Sequence, residues 1–301
     1  MSGLTRVGLF GALLALVFAG AVLAGSVLDP DTGEATDSEE RMGSAHAPAE
    51  GAAHAADGEA AAGTHSTSGE APAKGLAQAE EGLRLVIDDA ARPVGSQPLR
   101  FRIVKQNGTT IRDFDVEHAR RMHLIVVRRD LSGFQHLHPE QTAGGSWEVP
   151  LRLAEAGSYR VFADFSSRGR SHTLGTDLHV DGTFDARELP HPESTAMTDS
   201  GYQVRLDGSG GGVRFRVFED GRQVRDIEPY LDARGHLVAL REGDLAYLHV
   251  HPESEATEGS DIRFGIDYPS EGRYRLFLQF KLDGRVHTAA FTREVGEKHG
   301  H

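Results

Sequence analysis

The sequence predicts an all-β protein, with two tandem antiparallel β-sandwich domains behind an N-terminal apolar helix and a disordered linker. Three observations lead to this fold class. Short segments of alternating apolar and polar residues recur about every ten residues from residue 83 onward, with turn residues between them and no helical period. A block of some twenty residues occurs twice. Residues 26–78 are rich in Ala, Gly, Glu and His and contain no aromatic residue, which is typical of a disordered chain.

The repeat is most evident in its histidines. Residues 121–140 read RMHLIVVRRDLSGFQHLHPE, and residues 234–253 read RGHLVALREGDLAYLHVHPE. The equivalent residues, each pair separated by 113 positions, are His123 and His236, His136 and His249, and His138 and His251. A fourth histidine follows each set at an offset of 115, His172 in GRSHT and His287 in GRVHT. The repeat therefore carries both the fold and the residues with chemistry.

The predicted strands follow the same order in both copies. The predicted strands of the first copy are residues 83–87, 99–103, 147–153, 161–165 and 172–180. Those of the second copy are residues 213–217, 262–266 and 276–280. Asn107-Gly108, Arg168-Gly169, Asp220-Gly221 and Asp283-Gly284 predict tight turns. A Gly-x-Tyr sequence opens a late strand in each copy, at 157–159 and 272–274, and it looks like the tyrosine corner of immunoglobulin-like sandwiches. We therefore predict that both domains are immunoglobulin-like.

These patterns set the domain boundaries. We predict a membrane anchor or signal peptide over 1–25, a disordered linker over 26–78, a first sandwich over 79–182, a linker over 183–200, a second sandwich over 201–296 and a histidine-containing tail over 297–301.

Residues 7–24 form an uncharged apolar run that predicts export. Arg6 precedes the run, and Asp29 and Asp31 follow it, which places the N-terminus in the cytoplasm and the rest of the chain outside. The run suits either a membrane-spanning helix or the core of a cleaved signal peptide. The protein is accordingly expected at the cell membrane, single-pass with its C-terminal domains outside, or secreted if the signal is cleaved.

Composition excludes several classes of function. The formal charge of −13 argues against a nucleic-acid partner, because phosphate binding needs clustered Lys and Arg. The absence of cysteine excludes disulfides, thiolate metal sites and cysteine nucleophiles. The sequence also lacks a nucleophile elbow, a phosphate loop, a dinucleotide fingerprint and a His-Glu-x-x-His motif, so we do not expect an enzyme.

Strand geometry predicts that the histidines converge. Side chains at i and i+2 of a strand share a face, so His136 and His138 point the same way. A hairpin symmetric about Asp130 and Leu131 places His123 opposite His138, and the same construction places His236 opposite His251. Cβ atoms of directly opposed residues lie about 4.5–5.5 Å apart. The imidazoles are therefore close enough to share one ion in each repeat.

Three or four imidazoles without a thiolate suit a divalent transition metal. By the Irving–Williams order Cu(II) binds such a site best, and Zn(II) and Ni(II) are alternatives. The predicted ligands, one set per repeat, are His123, His136, His138 and His172, and His236, His249, His251 and His287. Since imidazole must be neutral to bind, affinity should fall as pH drops through about 6.5.

Two other interpretations remain open. The histidines can be structural, in which case the tandem sandwiches form an interaction module displayed on a membrane tether. Alternatively, three histidines can leave an open coordination position, as in a mononuclear metalloenzyme.

The paired block, from Met122-His123-Leu124 to His136-Leu137-His138-Pro139-Glu140, resembles bacterial exported heavy-metal-binding proteins. It is also similar to the small periplasmic sandwiches of the YtkA-like and CopC-like groups. The resemblance covers residues 82–182 and 201–295. It implies an immunoglobulin-like fold, an extracytoplasmic location and a role in copper handling. The two copies lack the methionine clusters that suit Cu(I), so the resemblance does not extend to carriers of reduced copper.

Overall fold

The structure, a computed structural model, describes residues 73–208, 212–248, 250–252 and 261–296. Every regular element within these ranges is a β-strand, and none of the described segments is a helix long and apolar enough to cross a membrane. The predicted apolar segment at 1–25, the linker as far as residue 72 and the tail at 297–301 lie outside the described residues. The all-β prediction and the predicted tandem repeat are both confirmed for the part of the chain that the structure describes.

The first repeat consists of two facing sheets. Its strands are β1 (Ala79–Glu80), β2 (Leu83–Ile87), β3 (Ala91–Arg92), β4 (Gly95–Lys105), β5 (His123–Arg128), β6 (Gln135–Leu137), β7 (Glu140–Gln141), β8 (Trp147–Leu153), β9 (Gly157–Ser167) and β10 (Arg170–Val180). The outer sheet has the order β1-β2-β4-β8-β7, and the inner sheet has the order β3-β10-β9-β5-β6. Pairing is antiparallel except between β3 and β10.

The second repeat has a similar plan. Its strands are β11 (Thr195–Met197), β12 (Gln203–Asp207), β13 (Gly212–Glu219), β14 (Arg222–Gln223), β15 (His236–Arg241), β16 (Tyr247–Leu248), β17 (Val250–Pro252), β18 (Asp261–Ile266), β19 (Gly272–Leu282) and β20 (Arg285–Val295). The outer sheet has the order β11-β12-β13-β18-β17, with β14 also paired to β13, and the inner sheet has the order β16-β15-β19-β20. Strand β11 lies within the predicted linker, where Ala196 packs against the core of the second repeat.

Turn chemistry explains the two longest hairpins. Arg168 and Gly169 both have positive φ, and so do Asp283 and Gly284, as a type I′ turn requires. The predicted tyrosine corners also form. The Tyr159 hydroxyl donates to the carbonyl of Glu155, and the Tyr274 hydroxyl donates to the carbonyl of Ser270, both at 2.8 Å. These contacts fix the start of β9 and of β19 in the same way.

Each repeat has its own apolar core between its inner and outer sheets. Phe101, Trp147 and Phe165 are among the buried residues of the first core, and Phe215, Phe264 and Phe291 are among those of the second. A third core lies between the two inner sheets. Its buried residues are Ile125, Val127, Leu131, Phe162, Val238, Leu240, Leu245, Tyr247 and Phe277. The inner sheets are therefore covered on both faces.

Burial on both faces explains the apolar runs in β5 and β15. Leu124 and Val126 point into the core of the first repeat, whereas Ile125 and Val127 point into the core between the repeats. All six residues of β5 are buried. A strand buried on both sides needs a continuous apolar sequence rather than an alternating one. His123 belongs by alternation to the face that carries Ile125 and Val127.

Two segments outside the sheets hold the repeats together. In the segment between the repeats, the carbonyl of Asp185 accepts from Arg128 at 2.9 Å, and the carbonyl of Leu189 accepts from Arg273 at 2.8 Å. That segment is thus attached to both repeats.

The residues that lead into the first repeat also contact both repeats. The backbone N–H of Tyr247 donates to the carbonyl of Lys74 at 2.9 Å, and Arg160 donates to the carbonyl of Gly75 at 2.8 Å. The N–H of Gly75 in turn donates to the carbonyl of Thr173 at 3.2 Å.

Candidate metal centre

Three of the predicted histidines meet at one end of the first inner sheet. The predicted hairpin register is confirmed, since Leu124 pairs with Leu137 and Ile125 pairs with His136. The ring centroids of His123 lie 5.2 Å from those of both His136 and His138, which are themselves 4.7 Å apart. One nitrogen from each ring lies within 4.8 Å of one nitrogen of the other two. These three side chains form a compact nitrogen-lined group.

In two of these rings, the nitrogen that faces away from the cluster is hydrogen-bonded to an oxygen atom that can only accept a hydrogen bond. Nε2 of His123 lies 3.2 Å from the carbonyl oxygen of Glu117, and Nδ1 of His136 lies 2.7 Å from Oε1 of Gln279. The amide nitrogen of Gln279 donates to the hydroxyl of Thr288 at 3.4 Å, which turns Oε1 toward His136. With the Gln279 amide oriented this way, a neutral His123 ring carries its proton on Nε2 and a neutral His136 ring carries its proton on Nδ1.

The two inward-facing nitrogens then carry no proton, and each presents a lone pair. Nδ1 of His123 and Nε2 of His136 lie 3.0 Å apart. Two lone pairs at this distance repel each other, and a cation between them would remove that repulsion. If an ion were bound to both nitrogens at about 2.0–2.1 Å, the angle between the two nitrogen–metal bonds would be about 95°. The outer hydrogen bonds are of the kind that orients metal-binding histidines in proteins.

Burial keeps these imidazoles neutral. Desolvation lowers the pKa of His123, and it lowers the pKa of His136 well below the ordinary value of 6.5, with added repulsion from His123 and His138. Desolvation, with repulsion from His123 and Arg120, lowers the pKa of His138 to about 4. A proton is therefore a poor candidate for the cation between the rings at neutral pH, whereas a metal ion needs the neutral form.

A fourth histidine in the cluster comes from the second repeat. The ring centroid of His236 is 4.5 Å from that of His136 and 5.7 Å from that of His123. Desolvation, with repulsion from His136 and His123, lowers its pKa well below 6.5. The Nε2 atoms of His138 and His236 are buried and have no hydrogen-bond partner among the described residues. An unpartnered buried polar atom costs about 1–3 kcal/mol.

A fifth histidine of the cluster, His118, was not among the predicted ligands. Its ring centroid is 6.2 Å from that of His123 and 6.5 Å from that of His236. It occupies a two-residue turn with Ala119, where both residues have positive φ. The equivalent position in the second repeat is Leu231, so comparing the two copies could not reveal His118.

His172 and His287 lie on the opposite faces of their sheets. In the first inner sheet, His123, Asp164 and Thr173 are directly paired and share one face. His172 pairs with Phe165, one position along, and therefore faces the core of its own repeat. Its ring stacks on Phe165 with centroids 5.3 Å apart. The structure therefore does not bring His172 to the cluster.

His287 has the equivalent environment in the second repeat. It pairs with Phe280, and the ring centroids are 5.4 Å apart. Nδ1 of His287 lies 2.9 Å from the Ser200 hydroxyl, and Nε2 lies 3.2 Å from the carbonyl of Leu282. Both of its ring nitrogens are thus engaged inside the second repeat, away from the face that carries His236.

The rest of the predicted second site is only partly described. His249 lies outside the described residues, and only the backbone of His251 is described. That backbone pairs with Gly265 in the outer sheet, whereas His236 pairs with Gln279 in the inner sheet. The predicted second hairpin register holds at Ala239 and Leu248 but does not extend to His236 and His251.

The charges of two carboxylates, those of Asp164 and Glu117, act on His123. Asp164 is the cross-strand neighbour of His123, and its negative charge acts to raise the pKa of that ring against the larger effect of burial. Thr173 donates to one oxygen of Asp164 at 2.8 Å, and the Tyr247 hydroxyl donates to the other at 3.4 Å. The negative charge offsets part of the cost of placing a divalent cation nearby.

A family model matches both repeats. It covers residues 77–182 and 196–297, more than half of the chain, and is described as a domain of unknown function, DUF8832. The chain belongs to the DUF8832 family. The two DUF8832 domains contain the five histidines of the cluster, four in the first domain and His236 in the second. No curated protein matches this DUF8832 chain.

This DUF8832 protein has distant likenesses among solved structures. It is similar to Escherichia coli alpha-2-macroglobulin activated by porcine elastase, with 14% identity and a TM-score of 0.25 over 71% of this chain and 20% of that chain. It is also similar to a putative membrane anchored protein from Corynebacterium diphtheriae, with 9% identity and a TM-score of 0.23 over 72% of this chain and 60% of that chain. The chain thus spans a fifth of the macroglobulin. These TM-scores are too low to support an argument about function.

Proposed function

We propose that this protein binds one divalent transition-metal ion at the histidine cluster and buffers or delivers it outside the cytoplasmic membrane. Cu(II) is the preferred ion, and Zn(II) and Ni(II) are the alternatives. In this proposal the two immunoglobulin-like sandwiches are held at the membrane by residues 7–24, or secreted if that segment is cleaved. The location rests on the charge pattern around residues 7–24 and on the resemblance to exported copper-handling proteins.

One observation carries the proposal. The nitrogens of His123 and His136 face each other at 3.0 Å, and the other nitrogen of each ring contacts an oxygen atom. Structural histidines satisfy both of their nitrogens, as His287 does. The cluster instead directs several ring nitrogens toward one another, which is the arrangement that a metal ion stabilises.

The donor set supports Cu(II). Imidazole nitrogens bind both Cu(II) and Zn(II), and by the Irving–Williams order Cu(II) binds them more tightly. The ligand set contains no thiolate, since the chain has no cysteine.

Binding is favoured over catalysis. Asp164, the carboxylate paired with His123, has both oxygens engaged by Thr173 and Tyr247. A metalloenzyme would need an acid or base free to act beside the ion.

Metal titration of the untagged full-length chain tests the proposal. We expect calorimetry with Cu(II) to show one tight equivalent at the cluster, with Zn(II) binding more weakly. Electron paramagnetic resonance of the Cu(II) form should show coordination by imidazole nitrogens. An exchangeable water ligand in that spectrum would favour the metalloenzyme interpretation. No tight binding of either ion would mean that the histidines are structural, and the interaction-module interpretation would replace this one.

Cu(II) affinity should resist mild acid. Sequence alone predicts a decline through about pH 6.5, but the lowered pKa values of the clustered histidines move proton competition to lower pH, toward the value of about 4 for His138. Competition titrations at a series of pH values should therefore give nearly constant affinity down to about pH 6 and a steep loss toward pH 4. A decline centred on about pH 6.5 would contradict the lowered pKa values of these histidines.

A further inference from the structure

The contact between the inner sheets approximates a twofold arrangement. Phe134 and Tyr247 are equivalent positions in the two copies, and so are Phe162 and Phe277. Phe134 stacks on Phe277 with ring centroids 4.0 Å apart, and Tyr247 packs against Phe162 at 5.5 Å. The same pair of positions therefore meets twice, once from each repeat. This is the pattern of an isologous interface, formed here within one chain.

The histidine cluster lies where this arrangement places equivalent residues together. His123 and His236 are equivalent, and their rings are 5.7 Å apart and within 8° of parallel. Equivalent residues come this close only near a twofold axis. A ligand held at this point is therefore adjacent to both repeats.

We propose that His236 is a fourth ligand of the ion held by His123, His136 and His138, so that the metal joins the two repeats. The inference rests on the proposed function. The ring of His236 lies 4.5 Å from that of His136, closer than any other pair of rings in the cluster that spans the two repeats. Its Nε2 is buried and unpartnered among the described residues, like that of His138. An ion that drew the His236 ring toward the nitrogens of His123, His136 and His138, which already lie within 4.8 Å of one another, would provide a partner for both atoms.

The second repeat already shapes the site in another way. Gln279, on the strand next to His236, accepts the outer N–H of His136 across the interface. The equivalent residue in the first repeat is Asp164, which is engaged by Thr173 and Tyr247. The orienting contact of His136 therefore exists only while the repeats are docked.

A shared ion makes docking and metal binding interdependent. An ion with ligands from both repeats binds the docked form more tightly than the separated form, so it stabilises docking by mass action. The three histidines of the first repeat would still bind an ion without His236, but that ion would not hold the second repeat.

The test compares the full-length untagged wild type with His236→Phe, which keeps an aromatic ring in the stack and removes the ligand. The measurements are Cu(II) affinity by competition, the number of coordinated imidazole nitrogens by electron paramagnetic resonance, and amide hydrogen exchange in β5 and β15 with and without Cu(II). The metal-free exchange pattern shows whether the variant is folded. If the phenyl ring disrupts the fold, His236→Ala takes its place.

We expect four nitrogens in the wild type and three in the variant, with affinity at least about tenfold weaker. Cu(II) should slow exchange in both β5 and β15 of the wild type, but only in β5 of His236→Phe. A variant with wild-type affinity, nitrogen count and β15 protection would overturn the inference and leave the proposed function standing. Absence of Cu(II) binding in the wild type would overturn both.

Discussion

Replacing His136 with alanine is expected to weaken Cu(II) binding by more than about 100-fold, since loss of an outer-shell partner alone costs about 10–100-fold. The change removes one of the two facing nitrogens and also leaves Oε1 of Gln279 without its partner. The loss should appear as a rise in Kd in competition titrations. The bound spectrum should also change, because fewer imidazoles remain to coordinate the ion.

His172→Ala is the matched control for His136→Ala. Both residues belong to the first inner sheet, and His172 is the more deeply buried, with 7% of its surface exposed. Because His172 faces the core of its own repeat, we expect its loss to reduce stability while Cu(II) affinity stays unchanged. Equal loss of affinity in the two variants would show that the effect is one of folding and not of ligation.

Phe277→Ala should destabilise the protein by about 3–5 kcal/mol, the usual cost of deleting a buried phenylalanine. Phe277 is 4% exposed and stacks on Phe134 across the contact between the repeats. Its replacement leaves a cavity in the core that holds the inner sheets together. Denaturant unfolding of the metal-free chain measures the loss of free energy.

A double-mutant cycle identifies the contact that is lost. Phe134→Ala combined with Phe277→Ala should cost less than the sum of the single changes by about 0.5–1.5 kcal/mol, the coupling of a stacked aromatic pair. Val286→Ala, on the exposed side of β20, should change stability by less than about 0.5 kcal/mol. Additive effects of the two phenylalanine changes would contradict the stacking across the repeats.

Local rules predicted most of the fold. Alternation of apolar residues marked β2 and β8, and Gly-containing turns marked the hairpin of β9 and β10. The hairpin register around Asp130 and Leu131 followed from the symmetry of the histidine spacing alone. These features depend on residues that are near each other in sequence, where period and turn type decide the geometry.

The faces of His172 and His287 could have been predicted as well. A two-residue turn at Arg168-Gly169 fixes the register of the hairpin and pairs His172 with Phe165. Phe165 lies on the core face of β9 together with Val161 and Ala163. The alternation of side chains along the strands therefore places His172 in the core of its own repeat. Because His287 is the equivalent residue of the second repeat, the same reasoning applies to it.

The convergence of His123 and His236 could not be predicted in this way. Each repeat contains a complete histidine block, so the simplest expectation was one site per repeat. Which sheet faces pack together depends on long-range contacts between Ile125, Val127 and their equivalents Val238 and Leu240. The sequence does indicate that both faces of β5 and β15 are covered, since both strands are apolar on both faces. That pattern indicates a second covered face without identifying its partner.

The short segment ahead of the first repeat has a mechanical consequence. Lys74 is hydrogen-bonded to Tyr247 in the second repeat, and Gly75 is hydrogen-bonded to Arg160 and Thr173 in the first. Gly175 admits this close approach, since a Cβ there would lie 2.0 Å from the carbonyl oxygen of Gly75. A force applied to the chain ahead of residue 73 would therefore be divided between the two repeats at their junction. Tension on the N-terminal side would load both sandwiches together instead of peeling the first away from the second.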